Sequence, residues 1–144
     1  MRSARIIAPG RFEVFDEPVP SAGDGQVLVR LRKAVLCGSD YPYFANTFAP
    51  SSYPLPPGYP GHECLGVVEQ SNSNEFAKGD LVMYYPPGLD AYKEYHVASP
   101  ARLQKLPEGK DLNVLVMTQV LGCVAHAVFR IDRLTHRRDP VYHS

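Results

Sequence analysis

Apolar and polar positions alternate along the first hundred residues and then change period. Ala4–Ala8 reads as a short strand, Gly10-Arg11 as a turn, and Phe12–Glu17 as a second strand with Phe12 and Val14 on one face. Gln26–Leu36 is the longest β-branched run and the firmest strand prediction. Glu63–Gln70, Leu81–Tyr85, Tyr92–Val97 and Leu103–Lys105 continue the series. They are separated by turn chemistry at Pro18–Gly25, Ser71-Asn72-Ser73-Asn74, Lys78-Gly79-Asp80 and Pro86-Pro87-Gly88. Short strands at regular spacing predict a mainly β fold, a barrel or a sandwich.

Two stretches depart from this pattern. Residues 42, 50, 54, 56, 57 and 60 are proline, so the segment must be an irregular loop, entered by a helical turn over Ser39–Phe44 that Ser39 or Asp40 caps. From Asp111 to about Leu134 there is no proline, and Leu112, Leu115, Val116, Val120, Cys123, Val124 and Ala127 recur at steps of three and four. That period predicts a C-terminal helix with Asp111 as its N-cap. The polar stretch from Thr135 to Ser144 shows no packing pattern and is expected to be a disordered tail, leaving one domain over residues 1–134.

Composition narrows the function classes. The 15 basic and 15 acidic residues cancel, which gives no electrostatic reason to expect nucleic acid or an anionic membrane as partner. No apolar stretch is expected to approach the ~20 residues needed to span a bilayer. Three cysteines at irregular spacing argue against a disulfide scaffold and for a reducing, cytoplasmic setting.

The densest chemistry lies in two short blocks, Cys37-Gly38-Ser39-Asp40 and Gly61-His62-Glu63. The first ends the apolar run that includes Val35 and Leu36, and the second opens the run Cys64-Leu65-Gly66-Val67-Val68. Thiolate, neutral imidazole and carboxylate are the donors zinc prefers. Their separation is too long for a zinc finger, and ligands that converge only on folding suit a catalytic site. Taken singly, Cys64 is expected in the core, His96 as an ordinary strand residue, and His126 at the surface or in packing.

These blocks, together with Gly66-Val67-Val68, Lys78-Gly79-Asp80-Leu81-Val82, Ala91-Tyr92-Lys93-Glu94-Tyr95 and Gln119-Val120-Leu121-Gly122-Cys123, resemble the zinc-containing branch of the medium-chain dehydrogenase/reductase family. That family includes alcohol, sorbitol, threonine and glucose dehydrogenases. The landmarks come in family order as far as about Arg130. The resemblance implies a GroES-like β-barrel and a role for each matched residue. Cys37 is the first ligand of a catalytic zinc and His62 the second, with the Glu63 carboxylate at the metal. Ser39 relays the substrate's proton, and Asp40 holds the ligand histidine in its tautomer. The third protein ligand falls at Gln119, with Cys123 as rival one helical turn on, or is missing. The substrate implied is a small alcohol, polyol or carbonyl compound, with hydride passing to or from NAD(P). The aromatic loop residues Tyr43, Phe44, Phe48 and Tyr53 are candidates for lining the substrate cleft.

Three departures shape the expectation. The interval from Met83 to Asp90 has no cysteine, so the family's structural zinc is not expected. Pro42 stands where the proton relay often has a histidine. No Gly-x-Gly-x-x-Gly occurs, so the Rossmann domain that binds the nicotinamide is not in this sequence. The chain is therefore expected to be the N-terminal catalytic part of a dehydrogenase, inactive alone, with an apolar surface that makes it sticky or a homo-oligomer. The alternative is a non-catalytic zinc-binding barrel or interaction module.

Overall fold

The computed structural model describes residues 1–47 and 52–136. Strands β1 (Arg2–Ala8) and β2 (Arg11–Asp16) form an antiparallel hairpin closed at Gly10, whose φ of +69° favours a residue without Cβ. The other strands are β3 (Val27–Val35), β4 (Glu63–Ser71), β5 (Leu81–Tyr84), β6 (Tyr95–Ala98) and β7 (Leu103–Lys105). They form one antiparallel sheet in the order β6-β3-β4-β5-β7. The core lies on one face of this sheet, where Val27, Val29, Cys64, Val68, Val82, Tyr84 and Ala98 are almost fully buried. Cys64 is a core thiol, as expected, and burial pushes its pKa up to about 12.

The hairpin is tied to the sheet through backbone groups. Ala4 N–H donates to Tyr92 O at 2.9 Å, and Gly58 and Leu55 N–H donate to Ala4 and Ile6 O at 2.7 and 2.8 Å. These bonds hold the segments before β4 and before β6 against β1. Strand β6 starts at Tyr95, because Tyr92 spends both backbone groups on this junction, accepting from Ala4 and donating to Gly58 O at 3.2 Å, instead of pairing in the sheet. In the sheet itself β3 and β4 cross very closely: a Cβ on Gly66 would lie 2.5 Å from Arg30 O, beside the register shift between Leu31 and Lys33.

Helix α1 (Tyr41–Ala45) follows Cys37, and Asn46 ends it in the left-handed region at φ 55°. Asp40 sits at its N-cap but makes no side-chain cap bond; its carboxylate is used elsewhere. Helix α2 (Leu112–Leu115) is capped as predicted, Asp111 accepting from Asn113 N–H at 2.8 Å. It is separate from α3 (Thr118–His136), so the single helix expected here is broken at Val116-Met117. Leu115 and Val116 pack on Leu65. Leu112 packs beside them, whereas Leu121, Val124, Val128, Phe129 and Ile131 are each more than half exposed. The segment Leu112–Arg133, 22 residues, is by length and composition long and apolar enough to cross a membrane, although the sequence reading counted no such stretch. Single polar residues such as His126 and Arg130 interrupt the apolar run while leaving its average hydropathy high. Thr135 and His136 continue α3, and the rest of the expected tail lies outside the described residues.

Candidate metal centre

The β3–β4 register creates the site. Val35 pairs with Glu63 and Ala34 with Cys64, so the chain leaving β3 and the chain entering β4 run side by side. Two residues beyond β3 and one before β4, Cys37 and His62 therefore meet. One ligand atom from each of Cys37, His62 and Glu63 lies within 4.8 Å of the others. Glu63 is 9% exposed and sits at the last pair of the ladder.

The imidazole of His62 is oriented from behind. Its Nδ1 lies 3.1 Å from Pro60 O and 3.3 Å from Asp40 Oδ1. A carbonyl oxygen only accepts, so Nδ1 carries the proton and Nε2 keeps its lone pair for a metal. Asp40, 5% exposed, is held by two donors on its other oxygen, Cys37 N–H at 3.0 Å and the Tyr92 hydroxyl at 2.6 Å. Burial first, and then the bond to Asp40 and its charge, push the Tyr92 hydroxyl well above its ordinary range, so it stays a donor.

Gln119, in the first turn of α3, donates from Nε2 to His62 O at 2.9 Å. Its Oε1 is buried and has no hydrogen-bond partner among the described residues. An unpaired buried carbonyl costs about 1–3 kcal/mol, and an acceptor left open beside the histidine segment is what a cation relieves. The donor set Cys37, His62, Glu63 with this orphaned amide fits zinc. Cys123, the rival, is an exposed free thiol. Ser39 is exposed at the start of the helical turn, and His126 is exposed on α3.

The Tyr85 ring lies tilted beside His62, ring centroids 6.3 Å apart. Of the loop aromatics, Phe44 joins Ile6, Phe12, Tyr59 and Tyr92 around an apolar cavity of about 540 Å³ that touches Cys37 and Asp40. His62, Glu63 and Ser39 are not among its walls. Tyr43 packs edge-on against Tyr59 at 5.0 Å and accepts on its backbone oxygen from the Tyr53 hydroxyl at 2.8 Å. Phe48 lies outside the described residues.

The model of the alcohol dehydrogenase GroES-like domain matches residues 23–125. The chain belongs to that family. Fold and landmarks place it with the zinc-containing medium-chain dehydrogenase/reductases, as the sequence motifs implied. An alcohol dehydrogenase from Cupriavidus necator is 34% identical over 74 residues, covering 51% of this chain and 19% of the relative. A glucose 1-dehydrogenase from Methanocella arvoryzae is 39% identical over 89 residues, covering 56% and 24%. The GroES-like domain thus aligns with only about a fifth to a quarter of the length of these relatives. The solved glucose dehydrogenase of Haloferax mediterranei, in complex with NADP, Zn and gluconolactone, shares the fold with a TM-score of 0.63 at 21% identity, covering 74% of this chain and 39% of that one.

Sequence reasoning missed Tyr92 and Pro60 as parts of the site. Gly61 was the available signal: a Cβ there would lie 2.9 Å from the Tyr92 ring, so this glycine marks a close approach.

Proposed function

We propose that this domain is the metal and substrate half of a zinc-dependent dehydrogenase acting on a small alcohol, polyol or carbonyl compound. The observation that carries the reading is the convergence of Cys37, His62 and Glu63, with His62 Nε2 left free by the two acceptors at Nδ1. Zinc would be held by Cys37, His62 and Glu63, with Gln119 Oε1 as the further donor. Bound there, it supplies a Lewis acid that polarises a carbonyl or acidifies an alcohol.

The chain's own residues do the rest. Asp40 and Pro60 keep the His62 proton on Nδ1. Gln119 tethers α3 to the His62 backbone. Ser39, exposed two residues beyond Cys37, passes the substrate's hydroxyl proton toward solvent. Nicotinamide binding needs residues beyond those described here, because this sequence has no Gly-x-Gly-x-x-Gly turn. On its own the domain binds zinc and turns over nothing.

Zinc titration of the wild-type chain against Cys37→Ser, with a chelating dye as competitor, tests this. Tight one-to-one binding in the wild type and its loss in the variant support the site. Equal binding in both contradicts it.

A further inference from the structure

We propose that Tyr92 is a positioning residue of the metal centre, acting on His62 through Asp40. This rests on the zinc reading above. Asp40 Oδ2 receives both fixed donors, Cys37 N–H at 3.0 Å and Tyr92 O–H at 2.6 Å. That saturates Oδ2 and leaves Oδ1 as the oxygen that faces His62 Nδ1, 3.3 Å away. Without the hydroxyl, a buried carboxylate keeps one backbone donor and is free to rotate about it. Oδ1 then no longer has a set direction, and the ring loses one of its two acceptors. A carboxylate behind a ligating imidazole orients the ring and raises its basicity, and removing such a partner typically weakens metal binding about 10–100-fold.

Tyr92 is itself placed for this task. Both its backbone groups are bonded, the N–H to Gly58 O at 3.2 Å and the carbonyl to Ala4 N–H at 2.9 Å. Its ring passes so close to Gly61 that a Cβ there would sit 2.9 Å from two ring atoms. The glycine one residue before His62 thus admits the ring, and the chain from Gly58 to Glu63 is held by Tyr92 on one side and by the β3–β4 ladder on the other. Hairpin and proline-rich loop thus fix the Tyr92 backbone, and its hydroxyl reaches Asp40.

The test is the zinc affinity of the full 144-residue chain, measured by dye competition for wild type, Tyr92→Phe, Asp40→Asn and the double variant. Tyr92→Phe keeps the ring and removes only the donor, and its near-ultraviolet circular dichroism should match the wild type. The expected result is an affinity loss of about 10-fold or more for Tyr92→Phe, with no further loss when it is added to Asp40→Asn. A cycle of this kind isolates the coupling between the two residues. Gly61→Ala keeps the hydroxyl and displaces the ring, and it should weaken zinc in the same direction.

Wild-type affinity in both Tyr92→Phe and Gly61→Ala overturns the proposal and leaves the zinc site standing. A loss from Tyr92→Phe that is equally large in the wild-type and the Asp40→Asn backgrounds also overturns it, because Tyr92 then acts by packing alone. A wild-type chain that binds no zinc overturns the metal reading itself, and the Tyr92 role with it.

Discussion

Two histidines in this domain sit in similar company and end in opposite states. His96, 5% exposed, accepts from the Tyr84 hydroxyl on Nδ1 at 2.7 Å and donates from Nε2 to Asp90 O at 2.9 Å. Both ring nitrogens are spent and the cluster is closed. His62 also has a tyrosine and an aspartate behind it, but they act in series on Nδ1 alone and leave Nε2 free. Beside it stand a thiol, a carboxylate and an amide oxygen that has no hydrogen-bond partner among the described residues. The difference is one of saturation: the first cluster links β5 to β6 with both ring nitrogens bonded, and the second leaves donor atoms unspent among the described residues, which the proposed zinc would use.

The comparison can be broken most forcefully at His62. His62→Ala should weaken zinc binding by at least about 100-fold, since it removes a ligand and not its support, while thermal unfolding of the metal-free protein changes little. Tyr84→Phe should do the reverse. It orphans a buried acceptor on His96, costs about 1–3 kcal/mol of stability by urea unfolding, and leaves zinc affinity unchanged.

Acid sharpens the contrast further. Burial lowers the pKa of His96 below 6.5, against a smaller raising effect of the Asp90 carbonyl. The unfolded chain then binds more protons than the folded one. The contribution of His96 is thus complete above about 6.5 and is lost as pH falls from there through the folded value, at no more than about 1.4 kcal/mol per pH unit. In the Tyr84→Phe variant this portion of the acid response should change shape, read as urea midpoints between neutral and mildly acidic buffer. The smallest effect belongs to the surface ladder of Arg30, Glu69 and Lys78. The pKa of Glu69 is lowered mainly by Lys78. Glu69→Gln should leave both the melting temperature and zinc affinity at wild-type values, because exposed pairs contribute little.

The strands were legible because β-branched alternation and Gly/Pro turns are local signals, and all seven fall where the pattern puts them, within a few residues. Cys37, His62 and Glu63 were legible as chemistry, and the β3–β4 register explains why two blocks some 25 positions apart in the chain meet. Tyr92 was not legible as part of the site: its bond to Asp40 spans 52 positions and depends on a junction built from backbone groups of the hairpin. His96 looked ordinary for the same reason, its partners being a side chain on β5 and a carbonyl in a turn. The C-terminal helix was legible as a helix, though not its break at Val116-Met117. Periodicity reports that an apolar face exists, and in this domain its first turns meet the core through Leu112, Leu115 and Val116 while Leu121, Val124 and Val128 stay exposed.

The most direct test of the metal centre is the absorption spectrum of the cobalt(II)-loaded domain, in wild type and Cys37→Ser. A thiolate, imidazole and oxygen site of low coordination number predicts intense d–d bands together with a thiolate-to-metal charge-transfer band, the latter lost in Cys37→Ser. A weak octahedral spectrum, or one that Cys37→Ser leaves unchanged, would show that Cys37, His62 and Glu63 do not bind a metal together.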